Sequence, residues 1–141
     1  MKRIIFFFLG ISLVAYLINC TEKTIDPDYE NVLIDHDLFE NGPDDQLSIT
    51  SVYLTNDCLT IEFLAAGCDG NEWIIKLIDA GMIAESNPPQ RMIRLSLDNP
   101  EQCRKGITKE ITFNLGPVRI NGGNKVLLNL EGWEEDILYS Y

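Results

Sequence analysis

The stretch LTIEFLA, residues 59–65, decides the fold class. Its apolar side chains recur at every second position, at Leu59, Ile61, Phe63 and Ala65. Alternation with period two is typical of a β-strand that has one buried face and one wet face. The sequence therefore predicts a strand here, and the same pattern on either side predicts the rest of the fold.

Six further segments show the same alternation. They are residues 47–54, 73–78, 91–97, 111–115, 126–130 and 136–141. Turn sequences rich in Gly, Asn and Pro separate them, and no segment carries a convincing helical stripe. Seven short strands in about 95 residues predict an all-β fold, an immunoglobulin-like antiparallel two-sheet sandwich, with a small β-barrel as the alternative.

The first nineteen residues have the pattern of a secretion signal. Lys2 and Arg3 precede an uncharged apolar run over 4–18, which is shorter than the roughly 20 residues of a membrane-spanning helix. The end of the run resembles the bacterial lipobox, in which Leu stands three residues before a cysteine that receives lipid after cleavage; Leu17 and Cys20 match. We predict a lipoprotein signal peptide at 1–19 and lipidation of Cys20. A plain signal cleaved elsewhere and an uncleaved anchor are the alternatives.

Residues 20–46 are acidic and poor in apolar side chains. Between 21 and 46, nine acidic residues face one lysine. Such a segment cannot bury a core alone, so we predict a tether able to add a short edge strand, followed by the sandwich domain at 47–141. An EF-hand that starts at Asp35 fails, because its fifth and sixth positions are Phe39 and Glu40. A looser calcium site stays as an alternative to a solvated linker, and we assign no metal ligand.

The composition excludes several classes of function. After removal of 1–19 the chain keeps nine basic and twenty-two acidic residues, a formal charge of −13. Binding to nucleic acid depends on basic side chains that neutralise phosphates, so we expect no nucleic-acid partner. His36 is the one histidine of the sequence, which leaves no material for Ser/His/Asp or Cys/His hydrolase sites or for multi-histidine zinc sites. We predict a protein that is not an enzyme and has no cofactor.

The predicted strand directions sort the cysteines. Cys58 precedes the strand at 59–65 and Cys68 follows it, so the two lie about 25 Å apart, too far for a disulfide. If consecutive strands run up and down, Cys103 returns to the end of the sandwich that holds Cys68. We therefore predict a Cys68–Cys103 disulfide, and a single Cys58 that behaves as a small buried apolar residue.

The same alternation of strand directions sorts the loops by end. One end gathers the disulfide and most of the acidic turns. The other end is nearly neutral and gathers residues 56–57, 116–117 and two exposed loops. A rigid loop loses little entropy on contact, which favours recognition; the alternative is a plain turn. The candidate binding residues of the two loops are Ser86, Asn87, Pro88, Pro89, Gln90, Asn121 and Asn124.

Several short motifs stand together after residue 47. They are LTIEF at 59–63, GC at 67–68 followed by Trp73, SNPPQ at 86–90, RLSL at 94–97, Cys103, ITFNL at 111–115 and LNLEGWEEDILYSY at 128–141. This set resembles a family of small bacterial secreted or lipid-anchored β-sandwich domains with no assigned activity. The resemblance implies the sandwich and the paired cysteines. At Asn71 the chain departs from it, because the family tends to place histidine there.

Two functions follow from the sequence. The first is a lipid-anchored module of the cell envelope, at the outer membrane on its periplasmic or surface face, which binds an unknown protein or glycan or packs within an envelope assembly. The second is a secreted inhibitor of an extracellular hydrolase that uses residues 86–90 as a wedge. A protruding 86–90 loop beside 121–124 favours the inhibitor, and a flat apolar patch favours the envelope module.

Overall fold

Two β-sheets pack against each other in the computed structural model, which describes residues 30–141. The elements are β1 Glu30–Asn31, β2 Leu33–Ile34, α1 His36–Asn41, β3 Leu47–Thr55, β4 Cys58–Gly67, β5 Ile74–Ala84, β6 Gln90–Asp98, β7 Lys105–Asn114, a 3-10 turn Gly116–Val118, β8 Lys125–Leu130 and β9 Ile137–Ser140. One sheet has four strands in the order β1-β7-β4-β3, and the other has five in the order β2-β5-β6-β8-β9.

The sandwich predicted from the sequence is confirmed, and the described residues form no closed barrel. The sheets are mixed, however, so the strictly antiparallel arrangement is wrong. β6 and β8 pair in parallel, with Gln90 opposite Leu127. The reason is that β7 crosses to the other sheet, so the chain returns beside β6 in the same direction. The two short strands β1 and β2 also pair in parallel, with β7 and β5.

The core lies between the sheets and is built from the alternating residues of the long strands. The side chains of Leu59, Ile61 and Phe63 are fully buried, and Ala65 is 5% exposed. Burying one such large apolar side chain contributes about 1.5–3 kcal/mol. The pattern in 59–65 therefore identified the inner face of β4 correctly.

The described part of the acidic segment, residues 30–46, packs onto the sandwich. β1 and β2 extend one edge of each sheet, and Val32 between them is 2% exposed in the core. The helix α1 packs against β5. The Arg94 guanidinium on β6 holds it there by donating to the carbonyl oxygens of Leu38 at 2.9 Å and Phe39 at 2.7 Å. A cation is favourable at that end of a helix.

The carboxylates of this segment have separate structural partners. Asp35 Oδ1 accepts from the Leu38 backbone N–H at the start of α1, and Asp45 Oδ2 accepts from the backbone N–H of Asn99. No group of three or more His, Cys, Asp or Glu side chains within 30–141 is placed to hold a metal ion. In the same range no helix is long and apolar enough to cross a membrane. The predicted signal peptide and Cys20 lie outside the described residues.

Candidate functional site

Of the two predictions about the cysteines of the domain, one is confirmed and the other is wrong. Cys68 and Cys103 form a disulfide with their Cα atoms 4.8 Å apart, which confirms that pairing. Cys58 is not free either, so the prediction that it stays single is wrong.

The disulfide end of the sandwich is tied together by the Glu101 carboxylate. Its Oε2 atom accepts from the backbone N–H groups of Cys68 at 2.5 Å and Gly70 at 3.1 Å. Desolvation opposes ionisation of this group, but the backbone donors outweigh it and lower the pKa of Glu101 to about 2. The Lys109 ammonium donates to the carbonyl oxygen of Gly70 and stands 5.4 Å from the Trp73 ring. These groups are used inside the fold.

An open cleft of about 490 Å³ also lies at the disulfide end, between β3, β4 and the segment after β6. Its acidic lining residues Asp45 and Glu101 already accept backbone hydrogen bonds.

The opposite end, called here the loop end, brings the two predicted binding loops together. β6 begins at Gln90 and β8 begins at Lys125, and these strands are direct neighbours. The backbone N–H of Leu127 donates to the carbonyl oxygen of Pro89 at 2.9 Å. The amide groups of Asn129 and Gln90 join at 3.1 Å. The loops before β6 and before β8 therefore share one end of the sandwich, as the strand directions predicted.

Residues 81–87, called here the hairpin tip, are all exposed. Met82 is 60% exposed and Ile83 is 45% exposed, although both are large apolar side chains. The residues that follow the tip, 88–90, are less exposed. Pro88, Pro89 and Gln90 are half-buried, and the Ser86 hydroxyl donates to the Pro88 carbonyl oxygen at 2.6 Å. Asn121 and Asn124 in the neighbouring loop are exposed.

A second group of exposed apolar side chains adjoins the tip on the outer face of the five-stranded sheet. This outer patch consists of Met82, Met92 and Leu138, of which Met92 is 47% and Leu138 is 52% exposed. Met92 and Leu138 occupy outward positions because their strand neighbours Ile93 and Ile137 point into the core. Met82 lies on the same face because the next residue, Ile83, pairs with the inward-facing Arg91. Sequence reasoning missed the patch, although apolar residues at outward positions of the period-two pattern are a usable signal.

Below the loops lies a polar network that the sequence did not reveal. Arg119 donates from Nη2 to both oxygens of Asp57 at 2.6 and 2.7 Å and from Nε to the Tyr139 hydroxyl at 2.9 Å. The Tyr139 hydroxyl donates to Asp57 at 2.6 Å. This hydrogen bond is the main cause of a lowered pKa at Asp57. Burial and the same bond raise the pKa of Tyr139 to about 12. The network fixes the turn before β4 against the segment before β8.

A buried ion pair supports the base of the hairpin tip. Arg91 Nη1 lies 2.9 Å from Asp79 Oδ1, and the two side chains are 8% and 0% exposed. Gly81 adopts a left-handed conformation with φ of 75°, and its N–H donates to the same oxygen at 2.8 Å. Burial outweighs these partners and raises the pKa of Asp79. A register shift in the β5–β6 pairing between Asp79 and Ile83 accompanies this arrangement.

The sequence matches no protein-family model, and no curated protein matches it significantly. Solved structures do resemble the fold. A protein of unknown function, DUF1344, from Bacteroides vulgatus shares 15% identity with a TM-score of 0.53, over 81% of this chain and 56% of that one. A NigD-like immunity protein from Bacteroides caccae shares 11% identity with a TM-score of 0.60, over 79% and 64%.

A toxin-related protein from Parabacteroides distasonis is similar to the same extent, at 18% identity and a TM-score of 0.51, over 80% of this chain and 59% of that chain. This chain thus spans less than two thirds of each of the three structures. At these identities the likeness shows the fold alone, a β-sandwich that recurs in proteins of Bacteroides and Parabacteroides, one of them of unknown function.

Proposed function

We propose that this protein is a non-catalytic binding protein of the bacterial cell envelope, held to the membrane by lipid on Cys20. It binds another protein through the hairpin tip and the outer patch. The observation that carries the proposal is the run of seven exposed residues at 81–87, which includes Met82 and Ile83. Apolar side chains that are exposed next to one another mark interaction surfaces more often than isolated ones do.

The energetics favour a contact at this surface. Met82, Met92 and Leu138 are each about half exposed on the outer face, so covering them gains about 1 kcal/mol apiece, or on the order of 3 kcal/mol together. The base of the tip is already ordered by the Arg91–Asp79 pair. An ordered loop loses less conformational entropy on binding than a mobile one.

The type of side chain supports a protein partner over a glycan. Methionine and isoleucine offer dispersion contacts and no hydrogen bonds to sugar hydroxyls. The flexible, polarisable thioethers of Met82 and Met92 suit an irregular apolar surface, as methionine does at other protein-binding sites.

A second function, a secreted inhibitor of an extracellular hydrolase or other harmful protein, is supported by the same tip. The exposed hairpin lies beside the loop at 121–124, an arrangement able to enter a cleft. The solved structure described as a NigD-like immunity protein has this fold, which is consistent with a neutralising role. We also propose membership of the uncharacterised family of secreted sandwiches that the motifs after residue 47 resemble.

Photo-crosslinking in intact envelopes tests the proposal. A photoreactive amino acid replaces Ile83 at the tip, and in a matched control it replaces Ile74 at the other end of β5, where the isoleucine is 55% exposed. We expect a discrete protein adduct from position 83 and none from position 74. Equal adducts from both positions, or none from either, would remove the tip from the proposed function. An adduct that contains a hydrolase, with loss of its activity on addition of this protein, selects the inhibitor.

A further inference from the structure

The strand β3 forms one edge of the four-stranded sheet. β3 spans nine residues, LSITSVYLT, and among the described elements it pairs with β4 alone. The other sheet edges are short, with four residues in β9 and two each in β1 and β2. Exposed edges usually carry a charge or a proline that blocks pairing with another chain. β3 has neither; its pairing with β4 is interrupted by a bulge between Ile49 and Ser51, which divides the edge into two stretches.

The core is incompletely covered along this edge. The inward side chains of β3 are all half-buried, whereas those of its neighbour β4 are at most 5% exposed. The inward residues of β3 are Leu47, Ile49, Val52 and Leu54. One more strand beside β3 would cover these side chains with its own inward apolar residues.

The outer face next to the edge is acidic. Glu62 on β4 and Glu110 on β7 stand directly opposite each other, and like charges in this position destabilise a sheet. Their hydrogen-bond donors both come from β3, namely Thr50 Oγ1 to Glu62 at 2.7 Å and the Tyr53 hydroxyl to Glu110 at 2.5 Å. Neither carboxylate belongs to an ion pair within residues 30–141.

We propose that β3 is a strand-addition site for an extended protein segment whose inward residues are apolar and whose outward residues are basic. Main-chain hydrogen bonds to β3 supply the affinity in this mode, and alternate side chains supply the specificity. Strands lie about 4.8 Å apart, so an outward lysine of the added strand stands about 10 Å from the Glu62 position, within the joint reach of the two side chains.

The charge also argues against a second copy of this chain as the occupant. Each copy carries a formal charge of −11, and β3 has no basic residue to offer to Glu62 of the other copy. An extended segment with apolar inward residues and basic outward residues would cover the half-buried side chains of β3 and would place positive charge near Glu62 and Glu110. This site is distinct from the hairpin tip, which belongs to the other sheet.

The test uses the purified full-length protein in detergent and a blocked nine-residue peptide that alternates Val and Lys. Amide hydrogen exchange is resolved to single residues of β3. At about nine-tenths occupancy, we expect exchange to slow about tenfold at the residues on either side of the β3 bulge whose N–H groups face away from β4. A peptide of the same charge, with prolines in place of its central valines, should give no such slowing.

Variants test the charge. Glu62→Gln should weaken peptide binding roughly two- to fivefold, the range expected for one exposed ion pair. Glu85→Gln in the hairpin tip makes the same charge change and should leave the affinity unaltered. Equal slowing by the proline peptide, or slowing confined to β9, would overturn the proposal. So would β3 amides already protected without peptide, whether that protection falls on dilution, as for a second copy, or persists, as for the chain's own residues before 30.

Discussion

Replacing Arg91 by methionine tests how strongly the buried ion pair holds the base of the hairpin tip. The substitution keeps the length of the side chain and leaves the Asp79 carboxylate, which is 0% exposed, with the Gly81 N–H as its remaining partner. Removing one member of a buried pair typically costs about 3–5 kcal/mol, because the other charge stays desolvated. We expect the free energy of unfolding to fall by that amount at pH 7.

The sign of the pH dependence is a further part of this prediction. Burial already raises the pKa of Asp79 above 3.8 in the intact protein, and loss of Arg91 raises it further. A group whose pKa is higher in the folded state stabilises the fold when it is protonated, and this stabilisation is lost as the pH rises through the folded pKa. The destabilisation by Arg91→Met is therefore largest at neutral pH and shrinks as the pH falls.

Urea unfolding at pH 7 and pH 5, followed by tryptophan fluorescence, measures both effects. Arg119→Met is the comparison, since the side chains of Arg119 and its partner Asp57 are 45% and 35% exposed; both charges stay in contact with water, so the loss there should be smaller than at Arg91. The double variant Asp79→Leu with Arg91→Met should regain most of the stability, because it leaves no buried charge. A double variant as unstable as Arg91→Met, or an Arg91→Met loss no larger than that of Arg119→Met, would refute this reasoning.

Three further outcomes are expected. The variant Cys68→Ala with Cys103→Ala should lose about 4 kcal/mol, the chain-entropy value for a sequence separation of 35, in urea unfolding; a loss under 1 kcal/mol would contradict it. The pKa of Tyr139 is about 12 against an ordinary 10.0, so its stabilisation is complete below pH 10 and is lost between pH 10 and 12; Tyr139→Phe should remove that part of the alkaline loss seen by circular dichroism. Mass spectrometry of protein extracted from envelopes should show a lipid-modified sulfur at Cys20, and an unmodified sulfur there would exclude the lipid.

The positions of the long strands were readable from the sequence because burial on one face imposes period two. Leu59, Ile61 and Phe63 are buried in the structure as that pattern predicted. Which strands pair was not readable, since the pattern shows the inward face and says nothing about the sheet a strand joins. The parallel pairing of β6 with β8 arises from a crossover by β7, which leaves no local trace.

Elements held by distant contacts were missed for a related reason. The helix α1 has six residues, too few to be stable alone, and it depends on Arg94 from β6. The buried ion pair did leave a signal. Arg91 shares the inward parity of Ile93, and Asp79 shares that of Leu77. A charged residue at an inward position predicts a buried partner of opposite charge.

The two ends of the sandwich differ in which side chains are already bonded within the fold and which remain exposed. At the disulfide end, Glu101 and Lys109 bind backbone groups of the same loop, so a partner that used these two side chains would have to displace internal contacts. At the loop end, the Arg91–Asp79 pair is internal and fixed, while Met82 and Ile83 above it remain exposed. A partner that covers the tip therefore gains apolar burial without breaking an existing bond.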